Sequence, residues 1–193
     1  MCGRYWIEST EGWEKIFHAL RRLPTPEKAK SAGEIFPGDF VPVIANNKKQ
    51  EPSVFWMQWG LQTIQGTMII NARSETASLK PMFQESMQYR RCLIPASHYF
   101  EWEHQGKEKV RYVIQPGEGE MMYMAALYRM EGNQPVFVIL TREAESEIRF
   151  IHHRMPVMLP ESACRDWLDP QISHKELLQK AVLSTTHHKA LPT

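Results

Sequence analysis

The middle of the 193-residue chain consists of short runs of β-branched and aromatic residues, a pattern that predicts a sheet of many strands. The predicted strands cover residues 41–45, 54–59, 67–71, 92–101, 110–115, 121–128 and 136–141. Two connections, at 104–107 and 131–134, are short and polar and contain a glycine, as hairpin turns do. Strands joined by such hairpins run antiparallel, so the pattern predicts a mostly antiparallel sheet or barrel.

Helices are predicted around these strands. Apolar residues at 13, 16, 17 and 20 form one stripe of a helix over 9–22, with Ser9 or Thr10 as its cap. Further helical patterns cover 80–87, 143–151, 161–168 and 175–183, the last preceded by the capping box Ser173-x-x-Glu176. The polar tail beyond 184 is expected to fray. The fold class is α+β: a single domain over 1–193 with a mostly antiparallel sheet or barrel core and flanking helices.

Composition excludes several classes of protein. Hydrophobic residues make up 42% and charged residues 23%, as in an ordinary folded domain. No apolar run approaches the roughly 20 residues needed to span a bilayer, so no membrane association is expected. Three scattered cysteines are too few for a disulfide scaffold and indicate a reducing, cytoplasmic setting. The net charge of +1 offers no bulk electrostatic reason to expect a nucleic-acid partner.

Cys2 follows the initiator methionine, so removal of Met1 would expose an α-amine beside the thiol. With reference pKa values of about 7.7–8.0 for the amine and about 8.5 for the thiol, both are partly reactive at neutral pH. Such a 1,2-aminothiol condenses with an aldehyde to an imine, which the thiol closes to a thiazolidine; an N-terminal amine can also serve as a base for its own side chain. The alternative is that position 2 is an unstructured terminal residue.

Asn71, Arg73 and Glu75 alternate where a predicted strand ends, and they would share one face if that strand continued. An asparagine there can hold an amine, and an arginine can bind a phosphate or carboxylate through two hydrogen bonds. A capped strand end with a surface ion pair explains the pattern equally well.

Glu101 lies between Phe100 and Trp102. Partial desolvation would raise the pKa of this carboxyl and suit it to general acid–base catalysis, whereas a solvent-facing glutamate on an amphipathic strand gives the same pattern.

Adjacent histidines, His152 and His153, end a predicted helix, and imidazole is suited to proton transfer near neutrality. Neighbouring helical residues face different ways, so only one is expected to enter a site. A metal site is the competing interpretation, but no Cys-x-x-Cys or His-Glu-x-x-His spacing occurs, and neither a metal nor another cofactor is predicted. Cys92 and Cys164 are interpreted as packing residues.

Five motifs in a fixed order carry a family resemblance over residues 2–159. They are Met1-Cys2-Gly3-Arg4; Trp59-Gly60-Leu61; Ile70-Asn71-Ala72-Arg73-Ser74-Glu75-Thr76; Cys92-Leu93-Ile94-Pro95-Ala96 with Phe100-Glu101-Trp102; and Ile151-His152-x-Arg154-Met155-Pro156. The set resembles the SOS response-associated peptidase (SRAP) family, whose members also shield abasic sites in DNA.

The resemblance implies a strand-rich α+β domain with a positive groove, acting as a monomer in the cytoplasm and at the nucleoid when bound to damaged DNA. Met1 would be lost autocatalytically, and Cys2 would crosslink to the aldehyde of an abasic site in single-stranded DNA as a thiazolidine. By similarity, Asn71 would hold the α-amine, Glu101 would move protons, and His152 would protonate the sugar oxygen on ring opening and assist reversal. The residues implied to bind phosphates are Arg4, Arg73 and Arg154.

This chain departs from the family pattern in several places. His153 stands where relatives usually have aspartate, and Ala96-Ser97-His98 stands where they often read Ala-Asp-Gly. The segment 62–66 is short and lacks the tryptophans found there in relatives, so a stacking role for that loop is not expected and Trp59 is predicted to be core. Lys80 lies near a position where relatives can add a basic contact.

Two other functions fit the same residues. An N-terminal-nucleophile cysteine hydrolase acting on a peptide or small amide in trans would use Cys2, Asn71 and Glu101 and would turn over without DNA. A non-covalent single-strand-binding module would need only the basic groove, and Cys2 would then be incidental.

Overall fold

The computed structural model describes residues 2–8, 14–116, 121–181 and 185–190, which form strands and a few short helices. The strands are β1 (Arg4–Ile7), β2 (Gly33–Ile35), β3 (Phe40–Asn46), β4 (Pro52–Trp59), β5 (Leu61–Gln62), β6 (Met68–Ile69), β7 (Asn71–Arg73), β8 (Arg91–Ala96), β9 (His98–Gln105), β10 (Glu108–Gln115), β11 (Met122–Glu131), β12 (Gln134–Glu143), β13 (Arg154–Pro156), β14 (Met158–Leu159) and β15 (Thr186–Lys189). The helices are α1 (Glu14–Leu20), α2 (Ser74–Ala77), α3 (Pro81–Tyr89), α4 (Glu161–Leu168) and α5 (His174–Gln179).

Five strands close into a barrel in the order β12-β4-β3-β8-β11, and β11 pairs back with β12. Every pairing in this ring is antiparallel except that of β12 with β4. Closure leaves none of these strands with a free edge along its full length, which removes the aggregation hazard of an open sheet. The strands β7, β13 and β14 extend the ring at its rim, and β7 runs parallel to β12.

A second, wholly antiparallel sheet has the order β15-β10-β9-β1-β2. The chain passes from the barrel into this sheet at Ser97, between β8 and β9. The Ser97 backbone N–H donates to the Trp6 carbonyl at 2.8 Å, and its hydroxyl accepts from the Glu8 N–H at 2.9 Å. The predicted strand over 92–101 is therefore two strands that belong to different sheets.

The inner face of the second sheet packs on the barrel. Tyr5, Tyr99 and Ile114 alternate with outward residues and are fully or almost fully buried, and the Tyr5 ring lies 5.3 Å from the ring of Trp59. These residues share one hydrophobic cluster with the barrel interior, including Cys92. A second cluster lies between the outside of the barrel and the helices, where Trp167 of α4 is its largest fully buried member.

The α+β fold class, with a mostly antiparallel core and flanking helices, is confirmed. The predicted helix over 143–151 is wrong. The β12 pairing continues to Glu143, and the chain then forms hydrogen-bonded turns, in which Arg149 N–H donates to the Glu145 carbonyl. Because Glu143 pairs with Arg154, residues 144–153 must return to within one strand spacing of their start, whereas a straight helix of that length would separate its ends by about 15 Å.

The tail predicted to fray instead contributes β15, which pairs with the outer edge of β10. That edge offers backbone N–H and carbonyl groups, and a short polar strand can satisfy them without burying apolar side chains. The cap predicted at Ser9 or Thr10 lies outside the described residues. Ser173 takes the N-cap position of α5 without a side-chain hydrogen bond, so the capping box does not form there. No helix in the described ranges has the length and apolarity to cross a membrane.

Candidate functional site

Cys2 leads directly into β1, and its side chain is fully buried. Its Sγ lies 3.9 Å from the Arg4 carbonyl oxygen. Burial, reinforced by the neighbouring Glu101 carboxylate, raises the pKa of the Cys2 thiol far above its ordinary value. The thiol is consequently protonated at neutral pH in this conformation.

Asn71 begins β7 and reaches the same place from the barrel. Its Nδ2 donates to the Cys2 carbonyl oxygen at 2.9 Å. The parallel pairing of β7 with β12 places Asn71 opposite Ile139, which fixes its position at the barrel rim. Within the described part of the chain, Asn71 Oδ1 is buried and accepts no hydrogen bond. An acceptor left in this way costs about 1–3 kcal/mol, so it is held beside Cys2 by the surrounding fold.

Glu101 lies on the inner face of β9, opposite Tyr112 of β10, and is only 4% exposed. Because side chains alternate along β9, Glu101 shares this face with Tyr99. Burial raises the pKa of the Glu101 carboxyl above its ordinary value. The sequence left open whether Glu101 is desolvated or faces solvent. In the structure its side chain is buried.

His152 and His153 follow the turns after β12. The His152 Nδ1 lies 2.9 Å from the Arg154 backbone N–H and 3.2 Å from the Arg154 carbonyl oxygen, so the backbone of Arg154 orients the ring. Burial lowers the pKa of His152. The two rings stack with centroids 4.4 Å apart and planes 24° apart. The expectation that they diverge assumed a helix, which this segment does not form.

A groove of about 550 Å³ opens over the N-terminal segment. Its lining residues are Gly3, Arg4, Glu101, Trp102, His104, Lys109 and His152. Three residues predicted for the site, Arg4, Glu101 and His152, therefore meet around one opening. Cys2 and Asn71 lie next to it through the Cys2 backbone.

The groove also contains residues that the sequence reasoning did not assign, on the hairpin of β9 and β10. His104 and Lys109 are exposed cross-strand partners, and Trp102 is the partner of Arg111. Residues 102 and 104 share a face because side chains alternate, and the hairpin register adds residue 109 to it. The hairpin turn at 104–107 is predicted from the sequence. The strand register that such a turn sets was the signal that could have placed residues 102, 104 and 109 on one face.

Arg4 is the predicted phosphate ligand that the structure places at the groove with an accessible guanidinium, its side chain being 39% exposed. This group pairs with Glu34 at 3.3 Å and lies over the rings of Phe36 and Trp102, at 4.5 Å and 5.3 Å from their centroids. Arg73 is exposed on β7, two residues beyond Asn71. Lys80 is also exposed but does not line the groove.

Arg154 is placed differently from the expectation. It is 6% exposed, and its guanidinium makes two 2.8 Å hydrogen bonds to the Glu75 carboxylate and one of 2.6 Å to the Thr141 carbonyl. These bonds lower the pKa of Glu75. The chain turns into α2 at Ser74, so Glu75 leaves the face that it would have shared with Asn71 and Arg73 in a continuous strand. In this arrangement Arg154 presents its backbone N–H, not its guanidinium, to a site residue, His152.

Trp59 is core, as predicted. It is fully buried, stacks on Phe137, and donates from Nε1 to the Ile70 carbonyl at 3.0 Å. Gly60 follows with φ +118°, and a Cβ there would lie 2.6 Å from Met68 side-chain atoms. The Trp59-Gly60-Leu61 motif thus serves the barrel rim near Asn71. Among the described residues, no three His, Cys, Asp or Glu side chains are grouped as a metal ion would require.

Residues 1–192 match the family model for SOS response associated peptidase (SRAP). The abasic site processing protein YoqW of Bacillus subtilis (strain 168) is 30% identical over 194 residues, which cover 93% of this chain and 85% of that protein. The abasic site processing protein YobE of the same organism is 33% identical over 197 residues, covering 95% and 89%. A crystal structure of a phage-related protein from Bordetella bronchiseptica superposes with a TM-score of 0.78 at 22% identity, covering 98% and 94%.

Proposed function

Because this chain belongs to the SOS response-associated peptidase (SRAP) family, we propose that it processes abasic sites in DNA. In the specific form of this proposal, Cys2 loses Met1 autocatalytically and forms a thiazolidine crosslink with an abasic site in single-stranded DNA. The observation that carries it is the convergence of the Cys2 backbone, Asn71 and the buried Glu101 beside a groove that also contains Arg4 and His152. No cofactor takes part.

The first step is hydrolysis of the Met1–Cys2 peptide bond, which consumes one water and releases methionine. Glu101 takes a proton from the attacking water and delivers one to the departing α-amine. Because burial raises the pKa of the Glu101 carboxyl, this group is a stronger base and is more readily protonated at neutral pH than an exposed glutamate, which supports this assignment. Asn71 Oδ1, a buried acceptor beside Cys2, is suited to receive a hydrogen bond from the new amine.

In the second step the neutral Cys2 amine adds to the aldehyde carbon of the ring-opened sugar. The resulting carbinolamine loses water to give an imine, with Glu101 donating the proton that the departing hydroxyl needs. The thiol then adds to the imine carbon, and its proton moves to the nitrogen. One C–N and one C–S bond form, and one water leaves.

The raised pKa of the Cys2 thiol bears on the choice between mechanisms. A cysteine hydrolase acting in trans needs a thiolate to attack an unactivated amide, and burial disfavours that form. An imine is a far stronger electrophile that the thiol meets within the same residue, so ring closure is effectively intramolecular. The buried thiol therefore favours the crosslinking proposal over the hydrolase.

His152 is assigned to the sugar oxygen. His152 lines the groove and its Nδ1 contacts the Arg154 backbone, which supports proton exchange between its imidazole and a ligand in the groove. In its protonated form it donates to the sugar oxygen on ring opening, and it assists reversal of the crosslink. Arg154 is assigned a positioning role through its N–H.

Arg4 and Arg73 are proposed to contact phosphates, and Lys109 adds positive charge at the groove. A single strand is the proposed substrate because the aldehyde must enter the groove to reach the Cys2 amine, and a flexible strand can bend to present it there. The protein is proposed to act as a monomer, in the cytoplasm and at the nucleoid.

The test uses a single-stranded oligonucleotide whose only uracil is converted to an abasic site by uracil glycosylase. Wild-type protein should give an adduct that survives heating in detergent without a reductant. Cys2→Ala retains an N-terminal amine but no thiol, so its adduct should appear only when borohydride reduces the imine. Cys164→Ala is the matched control, since Cys164 is a partly exposed cysteine of α4 and should crosslink like wild type.

A reductant-independent adduct in Cys2→Ala would overturn the proposal. Equal binding of intact and abasic strands without any adduct would favour the non-covalent module, and peptide turnover without DNA would favour the hydrolase.

A further inference from the structure

Trp6 and His98 form an aromatic pair that the proposed chemistry does not use. They are cross-strand neighbours on β1 and β9, with ring centroids 5.9 Å apart and planes only 8° apart. Both are half-buried. Burial lowers the pKa of His98 to about 4, so its ring is uncharged at neutral pH. The two neutral rings stack with nearly parallel planes, so each covers part of one face of the other.

This pair lies on the outer face of the second sheet. Tyr5 and Tyr99 alternate with it and point towards the barrel, so Trp6 and His98 point away from the barrel. Within the described elements, none of the helices packs extensively against β1, β9 or β10. On this face Phe100 is only 5% exposed beneath Arg111, whereas Trp6 and His98 keep half-exposed rings that no helix of these elements covers.

The face is continuous with the groove. His98, Phe100 and Trp102 follow one another on the same side of β9, and residues 98 and 102 are separated by about 13 Å along the strand. Phe100 contacts His98 edge-on with centroids 5.0 Å apart, and the Arg111 guanidinium covers its ring at 3.7 Å. Trp102 already lines the groove.

The charges on this face favour a polyanion. Arg4 and Arg111 share one carboxylate, Glu34, at 3.3 Å and 2.5 Å, which leaves an excess of one positive charge. Both guanidinium groups lie over aromatic rings, which holds them flat against the sheet. Half-exposed aromatic rings beside arginine guanidinium groups match the stacking of bases and the pairing of phosphates in a single strand.

We propose that Trp6 and His98 form a stacking platform for a nucleobase of the DNA strand that leaves the groove. This rests on the proposed function in one respect only, the path of the strand through the groove. The platform extends the binding surface by one or more nucleotides beyond the lesion, without touching the reacting atoms.

The experiment compares two abasic oligonucleotides. One carries ten thymidines on each side of the lesion, and the other has a single thymidine on each side. The DNA concentration that gives half-maximal crosslinking should rise about tenfold in Trp6→Leu with the long strand, as expected for the loss of one stacked base. It should stay within about twofold with the short strand, and the crosslinking rate at saturating DNA should be unchanged.

Trp6→Tyr, which retains a ring, should recover most of the affinity and guards against a folding defect in Trp6→Leu. Tyr89→Ala is the matched control, since Tyr89 is an aromatic residue of α3 that is 61% exposed and remote from β1 in the fold. Equal losses with the long and short strands, or none with either, would overturn the platform while leaving crosslinking intact. A change in sedimentation of Trp6→Leu without any DNA effect would also overturn it and indicate a face for self-association.

Should wild-type protein form no adduct, the proposed function fails and the platform is judged separately. Non-covalent binding of intact oligothymidylate would then carry the test, with the same tenfold loss in Trp6→Leu supporting the platform and unchanged affinity overturning it.

Discussion

At the scale of single residues, the site is built from groups in unfavourable states. Glu101 is a carboxylate taken out of water, the Cys2 thiol is held far from its reactive form, and Asn71 Oδ1 lacks a hydrogen bond in the described part of the chain. Such groups reduce stability, and they persist because the barrel and the second sheet fix the backbones that carry them. In the proposed reaction each has a role once the Cys2 amine and an aldehyde are present: Glu101 transfers protons, the thiol adds to the imine, and Asn71 Oδ1 accepts a hydrogen bond from the amine.

Glu101→Gln should stabilise the protein at neutral pH. The pKa of Glu101 is raised above 4.5 in the folded state, so its ionised form is disfavoured there. The free energy of unfolding consequently falls as the pH rises from the pKa of Glu101 in the unfolded chain through its higher pKa in the folded protein. We expect a higher Tm for Glu101→Gln at pH 7, a gap that closes below pH 4.5, and strongly slowed adduct formation. A lower Tm at pH 7 would show that the carboxylate is net stabilising.

His152 should set the pH dependence of crosslink reversal. Its pKa is lowered from 6.5, so the imidazolium needed for proton donation accumulates only as pH falls below that value. The reversal rate, followed by transfer to an excess of a second abasic strand, should rise as pH falls from 7 to 5.5. His152→Ala should abolish this rise. His153→Ala should retain the rise in reversal rate, because His153 is an exposed neighbour that does not line the groove. A reversal rate independent of pH in His153→Ala would mean that His153, and not His152, supplies the proton.

At the scale of elements, the pair Glu75–Arg154 ties α2 to β13. Glu75→Gln removes the negative charge and leaves the buried guanidinium one side-chain oxygen in place of two, besides its bond to Thr141, and we expect a loss of about 2 kcal/mol in the free energy of unfolding by urea. Glu85→Gln removes an exposed pair with Arg90 and should cost less than about 0.5 kcal/mol. Similar losses in both variants would mean that the buried pair is not a special contact.

Gly60 should be irreplaceable at the barrel rim. Gly60→Ala combines a positive φ with a 2.6 Å approach to Met68, and should cost about 2 kcal/mol or more. Gly132→Ala has a positive φ of 62° but open space around it, so it should cost only about 1 kcal/mol. Urea unfolding of Gly132→Ala measures the cost of the positive φ alone, and Gly60→Ala adds the cost of the contact with Met68. Equal losses of unfolding free energy in the two variants would show that the Met68 side chain moves aside.

Much of this architecture was predictable from local patterns, because strand alternation and hairpin glycines act over a few residues. All seven predicted strand regions contain strands. Barrel closure was not predictable, since it depends on the pairing of β12 with strands remote in sequence. The same holds for Arg154, whose partner Glu75 comes from a helix that begins where a strand was expected to continue.

The candidate site was partly predictable for a related reason. Glu101 and Asn71 were found through their motifs, but the desolvation of Glu101 comes from the stacking of the second sheet on the barrel. His104 and Lys109 needed only the hairpin register. The role of His152 depends on the absence of the predicted helix, because its Nδ1 contact with the Arg154 N–H forms in an irregular segment.

At the scale of the whole molecule, a net charge of +1 coexists with a cationic groove because the fold gathers Arg4 and Lys109 at one opening. Binding of an intact single strand should therefore weaken with salt. Arg4→Ala should reduce the slope of log K against log salt by about 0.7, the value for one phosphate contact on a single strand. Arg165→Ala, on the exposed side of α4, should leave the slope unchanged; equal effects would indicate diffuse attraction to the whole surface.

The central claim is that the Cys2 amine and thiol both bond to one carbon of the lesion, and the intact mass of the adduct tests it most directly. After incubation without reductant, denaturation and alkylation with iodoacetamide, the adduct should have the mass of the chain without Met1 plus the oligonucleotide, minus one water, plus two carbamidomethyl groups. It should carry two alkyl groups on its three cysteines, because the thiazolidine protects the Cys2 sulfur. An adduct that retains Met1, or one that takes up three alkyl groups, would contradict the thiazolidine.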